Sequence, residues 1–515
     1  MNGPTAKRML PRAGVVLALA VAAGLAVWNH TLTVAASQPV PQQGTVPVST
    51  VLRACPAPGL AGAPTTHLAL IAGPAPSGAG KAVVTYSGTS PGAPLLSVTQ
   101  PGVLSLTAVR SVPAPAPAKT AHSKTAHASA SPSPSAASGQ AVTTVPVQGG
   151  VVIQASGSMA RGLEAEQVAG ADKVVARCDA PGTDFWFAGP GVYTAPKIYL
   201  YLMNPGSQFA DVNVQAFTDA GPLVGSTDSG VAVAPHAMVV QSLGKMLHGA
   251  RAMALHVRTS VGQVVAALEE VTGSARSGAW LPPSATPATH VVLPGMPLTA
   301  GTRQLFVTVP GGQDAHVTLH AVTTKGSYEP TGGGGLDIPG GSVAQVSLTS
   351  LSAIAGALQV SANVPVTATM MVPGGPAGTP GAFTAASAAV QEQAVTAANV
   401  SGGGLASSLV LSAPGRAATV RVTQIVAGSS AQAATSAVVQ IPAKRSVVEK
   451  LGRESASHGT AFAVIVTLQK GSGPVYAGRV VSASGKGGAL QSILPMPSAL
   501  TTVPLPGVRS ALISP

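Results

Sequence analysis

Ile198-Tyr199-Leu200-Tyr201-Leu202, followed by Asn204-Pro205-Gly206, reads as an apolar strand that runs into a turn. The same unit returns twice. Gln304-Leu305-Phe306-Val307 precedes Pro310-Gly311-Gly312, and Leu409-Val410-Leu411 precedes Pro414-Gly415. An alternating strand follows each opening: Val212-Asn213-Val214-Gln215-Ala216, Val317-Thr318-Leu319-His320-Ala321 and Val420-Arg421-Val422-Thr423. An apolar-Pro step comes next, at Val233-Ala234-Pro235, Asp337-Ile338-Pro339 and Gln440-Ile441-Pro442. Each copy closes on a strand pair: 254–257 with 264–267, 358–360 with 366–368, and 463–466 with 475–477. A period of roughly a hundred residues describes tandem domains, because small-repeat solenoids recur at about 20–50.

Composition agrees with sheets. Hydrophobic residues make up 46% of the chain but aromatics only 3%, so the cores must be thin and rich in Val and Ala. The 60 Gly and 45 Pro interrupt helices and mark turns. Several short strands per repeat between regular turns is the β-sandwich pattern. The expected fold class is all-β: tandem β-sandwich (immunoglobulin-like) domains after an N-terminal membrane helix or signal peptide. The expected domains are a signal peptide or signal-anchor helix at 1–36 and an N-terminal β domain at 37–181. Three sandwich repeats follow at 182–285, 286–396 and 397–515. The stretch 113–139 is Ala/Pro/Ser low complexity, read as a disordered linker because it buries too little apolar area to offset its ordering entropy. Ser158 to Val168 reads as a short helix. Ala385 to Ala398 reads as one helix or as an edge strand with a linker.

Lys7, Arg8 and Arg12 precede an apolar run from Ala13 to Trp28, and Val34-Ala35-Ala36 offers small residues for cleavage before Ser37. Everything after about residue 36 is then exported, either membrane-anchored or secreted. Two cysteines, Cys55 and Cys178, lie in the exported part, and an oxidising compartment favours a structural disulfide between them. The formal charge of +12 is spread along the chain without a basic run or interleaved aromatics, so no nucleic-acid partner is expected.

Catalytic patterns do not hold up. Gly88-Thr89-Ser90-Pro91-Gly92 fits G-x-S-x-G but lacks the helix that a nucleophile elbow needs. Gly73 to Lys81 lacks a phosphate loop's first Gly and its Ser or Thr. His316 and His320 on a strand share a face roughly 13 Å apart, too far to share a metal. No cofactor and no metal are expected. The carboxylate pairs Glu164/Glu166, Asp179/Asp184 and Glu269/Glu270 read as surface or structural groups. The densest constellation runs from Arg177 to Gly191 and contains Cys178, Asp179, Asp184, Phe185, Trp186 and Phe187. It is either a core plug, with the disulfide against Trp186, or a ligand groove with Arg177, Asp184 and Trp186 as binding candidates.

The C-D-A-P-x-T-D-F-W-F-A-G-P-G run, with Cys55-Pro56, the Gly157–Gln167 stretch and Tyr201-Leu202-Met203-Asn204-Pro205, resembles the signature of an uncharacterised family. Members of that family are secreted or membrane-anchored proteins of high-GC Gram-positive bacteria. The resemblance implies export, a β-rich fold, and strand rather than helix near 158–168. It implies no reaction. The chain departs from the signature at Phe185, where a second Trp is expected, and in its long Ala/Pro/Ser insertion. The expected function is a non-enzymatic cell-envelope scaffold or binding module, with an envelope glycan or envelope protein as partner and the membrane contacted through an uncleaved N-terminal helix. Two alternatives remain at this point. One is an exported enzyme acting on envelope polysaccharide through Asp179, Asp184, Glu164 and Glu166. That reading needs two or more carboxylates in a concave pocket beside Trp186. The other is a rigid spacer for a membrane-associated partner.

Overall fold

The computed structural model describes residues 44–56, 65–72, 79–86, 94, 96–99, 102–110, 143–147, 150–169, 174–193, 197–223, 230–272, 277–374, 381–402, 404–426, 434–452, 461–483 and 490–504. The expected leader at 1–36, the linker at 113–139 and Gly88–Gly92 lie outside these residues. Among the described residues no helix is long and apolar enough to cross a membrane.

The fold is built of strands, as the alternating patterns require. Residues 47–501 form one compact unit of four sandwiches. The short pairing of Thr45–Pro47 with Thr502–Pro504 falls largely in a second unit, made of the chain ends. In the N-terminal sandwich, one sheet contains Thr50–Cys55, Val151–Gly157, Gly80–Tyr86 and Leu96–Val98. The facing sheet contains Val174–Arg177, Glu164–Ala169, Thr65–Ala72, Gly102–Arg110 and Thr143–Val147. Cys55 and Cys178 are joined by the expected disulfide inside this core, with Leu70, Val84 and Ile153.

The first repeat faces Asp184–Pro190, Ala252–Val261 and Ala210–Thr218 against Met238–Ser242, Lys197–Met203, Val265–Thr272 and Ser277–Leu281. In the second repeat the closing pair is a single strand, Gly356–Val372. Its first part pairs with Ala315–Thr323 and its last part with Arg303–Thr308, so one strand serves both layers. The third repeat returns to separate sheets, one around Phe462–Leu468 and one around Leu405–Ala413.

The apolar-Pro step is a four-residue turn in all three copies. Ala237 N–H donates to Ala234 O, Ser342 N–H to Pro339 O, and Arg445 N–H to Pro442 O. Its third residue has positive φ each time: His236 at 55°, Gly341 at 74° and Lys444 at 56°. The buried residues ahead of these turns are Val233, Ile338 and Ile441. Matching the prolines therefore misaligns the first copy by one position. Pro235 takes the second position of its turn, whereas Pro339 and Pro442 take the first. The turn is placed by its buried anchor and its left-handed third residue, and proline is accommodated at either of the first two positions.

Ser158 to Val168 is not a helix. A single 3-10 turn at Ser158–Ala160 leads into the strand Glu164–Ala169. Gly162 between them sits at φ 63°, which ends any right-handed helix, and the strand is captured between Thr65–Ala72 and Val174–Arg177. The Ala385–Ala398 stretch contains most of the edge strand Gln393–Asn399, the second of its two readings.

Within residues 47–501 the apolar contacts between sandwiches close a cycle. Ala54 and Val152 meet Met203 and Val265 of the first repeat. Trp186 and Phe217 of the first meet Phe306 and Val343 of the second. Val410, Val480 and Ile493 of the third join the core of the second. Val395, Ala397 and Ile465 of the third return to Ala69, Ile71 and Val168 of the N-terminal sandwich.

Candidate functional site

A cleft of about 270 Å³ lies where all four sandwiches meet. Arg177 and Asp179 come from the N-terminal sandwich, and Trp280, Pro282 and Pro283 from the end of the first repeat. Ser387 and Ala388 come from the passage between the second and third repeats, and Ile493, Pro495 and Pro497 from the third. The walls are mostly apolar and the polar groups are few.

The polar end is an ion network. Glu164, 1% exposed, takes Arg177 Nη2 at 2.7 Å and Arg53 Nη2 at 3.0 Å on the same carboxylate oxygen. Arg177 Nε lies 3.8 Å from Asp179 Oδ1. Burial opposes the Arg177 charge, but Glu164 and Asp179 outweigh it and hold the guanidinium above its ordinary value. Burial pushes the Asp179 carboxyl up to about 6, against the pull of Arg177 and Arg53. Behind the opposite wall, the Tyr201 hydroxyl donates to Glu269 Oε2, and the Tyr201 ring lies 5.2 Å from that of Trp280.

The three binding candidates separate. Arg177 reaches the cleft. Trp186 does not: it is 5% exposed, stacked on His256 at 3.8 Å and packed against Phe217. Asp184 is largely exposed and pairs with His256 Nε2 at 3.1 Å. The disulfide belongs to the N-terminal core and Trp186 to the contact between the first two repeats, so the expected packing of one on the other is not found. Trp280 was missed from the sequence. Its signal was its place in Trp280-Leu281-Pro282-Pro283, at a repeat boundary, in a chain with only three Trp.

Glu164 and Glu166 do share a strand face but serve different partners. Both oxygens of Glu166 accept backbone N–H groups, from Ala397 at 2.9 Å and Ala398 at 3.0 Å. Those groups are available because the ladder of Gln393–Asn399 shifts register between Thr396 and Asn399. Arg479, fully buried, places Nη2 3.7 Å from Glu166 Oε2. These are structural carboxylates, and the surface reading fails for them. His316 and His320 are exposed on one strand, with His316 Nδ1 2.8 Å from Asp337. No group of three metal-ligating side chains occurs among the described residues.

The chain belongs to a family of unknown function, DUF5719. The family model matches residues 128–451, a span that carries Arg177, Asp179 and Trp280. No curated protein and no solved structure matches the chain.

Glu269 and Glu270, adjacent in sequence, point to opposite sides of their strand. Glu270 lies across from Ile198 and Ala279, both in the core of the first repeat, and its Oε2 is buried without a hydrogen-bond partner. Burial pushes its carboxyl up to about 7. The folded state therefore holds this proton more tightly than the unfolded chain. Its penalty is absent below the unfolded value near 4.5, grows as pH rises to about 7, and is constant above. Glu270→Gln is expected to stabilise the protein by about 3 kcal/mol at pH 8 and by little at pH 4. Urea midpoints of both proteins across that range check this. Equal gains at both ends would refute it.

Proposed function

We propose that this protein is a non-enzymatic, exported cell-envelope protein, a binding module whose stacked sandwiches frame a ligand cleft. The observation that carries the reading is the polar content of that cleft. Among the described residues Asp179 is the one carboxylate lining it, and Asp179 is already paired with Arg177. Such a site can hold a ligand, whereas glycoside hydrolysis, the chemistry of the rival enzyme reading, draws on a pair of carboxylates. Export is supported by the disulfide and by the basic-then-apolar N-terminus. The cycle of contacts favours a binding body over a spacer, because the third repeat returns to the N-terminal sandwich instead of extending away from it.

The test is co-sedimentation of the full chain with purified envelope polysaccharide, with soluble reducing ends assayed in parallel. Retention without fragment release is expected. Fragment release would replace this reading with the exported enzyme, and absence of retention would remove the envelope-glycan partner.

A further inference from the structure

We infer that the cleft at the junction of the four sandwiches takes a small, largely apolar molecule that presents a hydrogen-bond donor to Asp179. This rests on the binding-module reading and adds the chemical class of the ligand.

Size comes first. About 270 Å³ is just under the usual range of small-molecule sites, roughly 300–1,000 Å³, and suits a one-ring compound. The walls favour an apolar body over a strongly polar one, with the Ser387 hydroxyl as a side-chain polar group among them. Pro282, Pro283, Pro495 and Pro497 carry no N–H, so the backbone there has no donors to offer. Trp280 adds an aromatic surface that favours an apolar body.

The polar end selects the ligand's head group. Arg177 turns Nη2 to Glu164 and Nε toward Asp179. Arg53, Arg177, Glu164 and Asp179 together balance two positive groups against two negative ones, so the cluster carries no net positive charge to attract an anion. Asp179 is 21% exposed and faces the cleft, and a carboxylate is an acceptor. A hydroxyl or an amine meets it well. An anionic head meets like charge.

The experiment titrates the full chain with benzyl alcohol, benzylamine and benzoate, read by ligand-observed NMR. Benzyl alcohol and benzylamine are expected to bind saturably, with dissociation constants on the order of 1 mM. Benzoate is expected to bind at least about tenfold more weakly. Ala388→Trp, at an exposed rim position, fills the cleft and abolishes binding without lowering the melting temperature. Asp179→Asn removes the discrimination against benzoate. Benzoate binding as tightly as the other two, no saturable binding, or binding untouched by Ala388→Trp would each overturn the inference. Reversed selectivity without polymer cleavage removes the ligand class alone. Polymer cleavage with the expected selectivity removes the non-enzymatic reading and supports the ligand class.

Discussion

Glu166→Ala is expected to destabilise the protein by about 3–5 kcal/mol, the scale for removing one partner of a buried ion pair. Three groups lose their partner together. The Ala397 and Ala398 N–H groups lose their acceptors, and the buried Arg479 guanidinium loses the carboxylate 3.7 Å away. Burial already lowers the Arg479 value, and Glu166 is what opposes that shift. The loss falls between the N-terminal sandwich and the third repeat, at the step that closes the cycle of contacts. A double variant, Glu166→Ala with Arg479→Leu, should lose less than Glu166→Ala alone, because no uncompensated charge remains buried. Urea midpoints of the three proteins decide it. A double variant less stable than the single one would show that Glu166 does not act by neutralising Arg479.

Removing the disulfide is expected to cost about 4–5 kcal/mol, since the bridge closes a long loop in the unfolded chain. Cys55 and Cys178 stand 123 residues apart, and the loop contains the Ala/Pro/Ser stretch 113–139. The bridge also holds the cleft's polar end, because Cys178 lies between Arg177 and Asp179, and Ala54 N–H donates to Asp179 O at 2.9 Å. Cys55→Ala with Cys178→Ala should match reduced wild-type protein in its urea midpoint. A midpoint equal to that of the oxidised protein would refute the expectation.

The strands were legible because alternation and Pro-Gly turns are local. The run Val317-Thr318-Leu319-His320-Ala321 announces which residues face in and which face out, and Ala315–Thr323 follows that pattern. Glu164-Ala165-Glu166 was less legible. Both faces of its strand are covered, so the charged positions do not mark a solvent side. The aromatic cluster at Phe185-Trp186-Phe187 drew attention for its rarity, yet Trp186 fills a contact between repeats while the isolated Trp280 reaches the cleft. Rarity reports on composition and does not reveal what covers a side chain.

By itself the sequence determined the all-β class, the threefold recurrence and the pairing of its two cysteines, because each follows from local periodicity or from a count of two. Only the tertiary structure decided that the third repeat returns to the N-terminal sandwich, that Glu166 and Arg479 meet, and that Arg177, Asp179 and Trp280 share a cleft. Those contacts join residues more than a hundred positions apart, and they depend on which outer sheet faces come together, a choice that no single strand's pattern encodes.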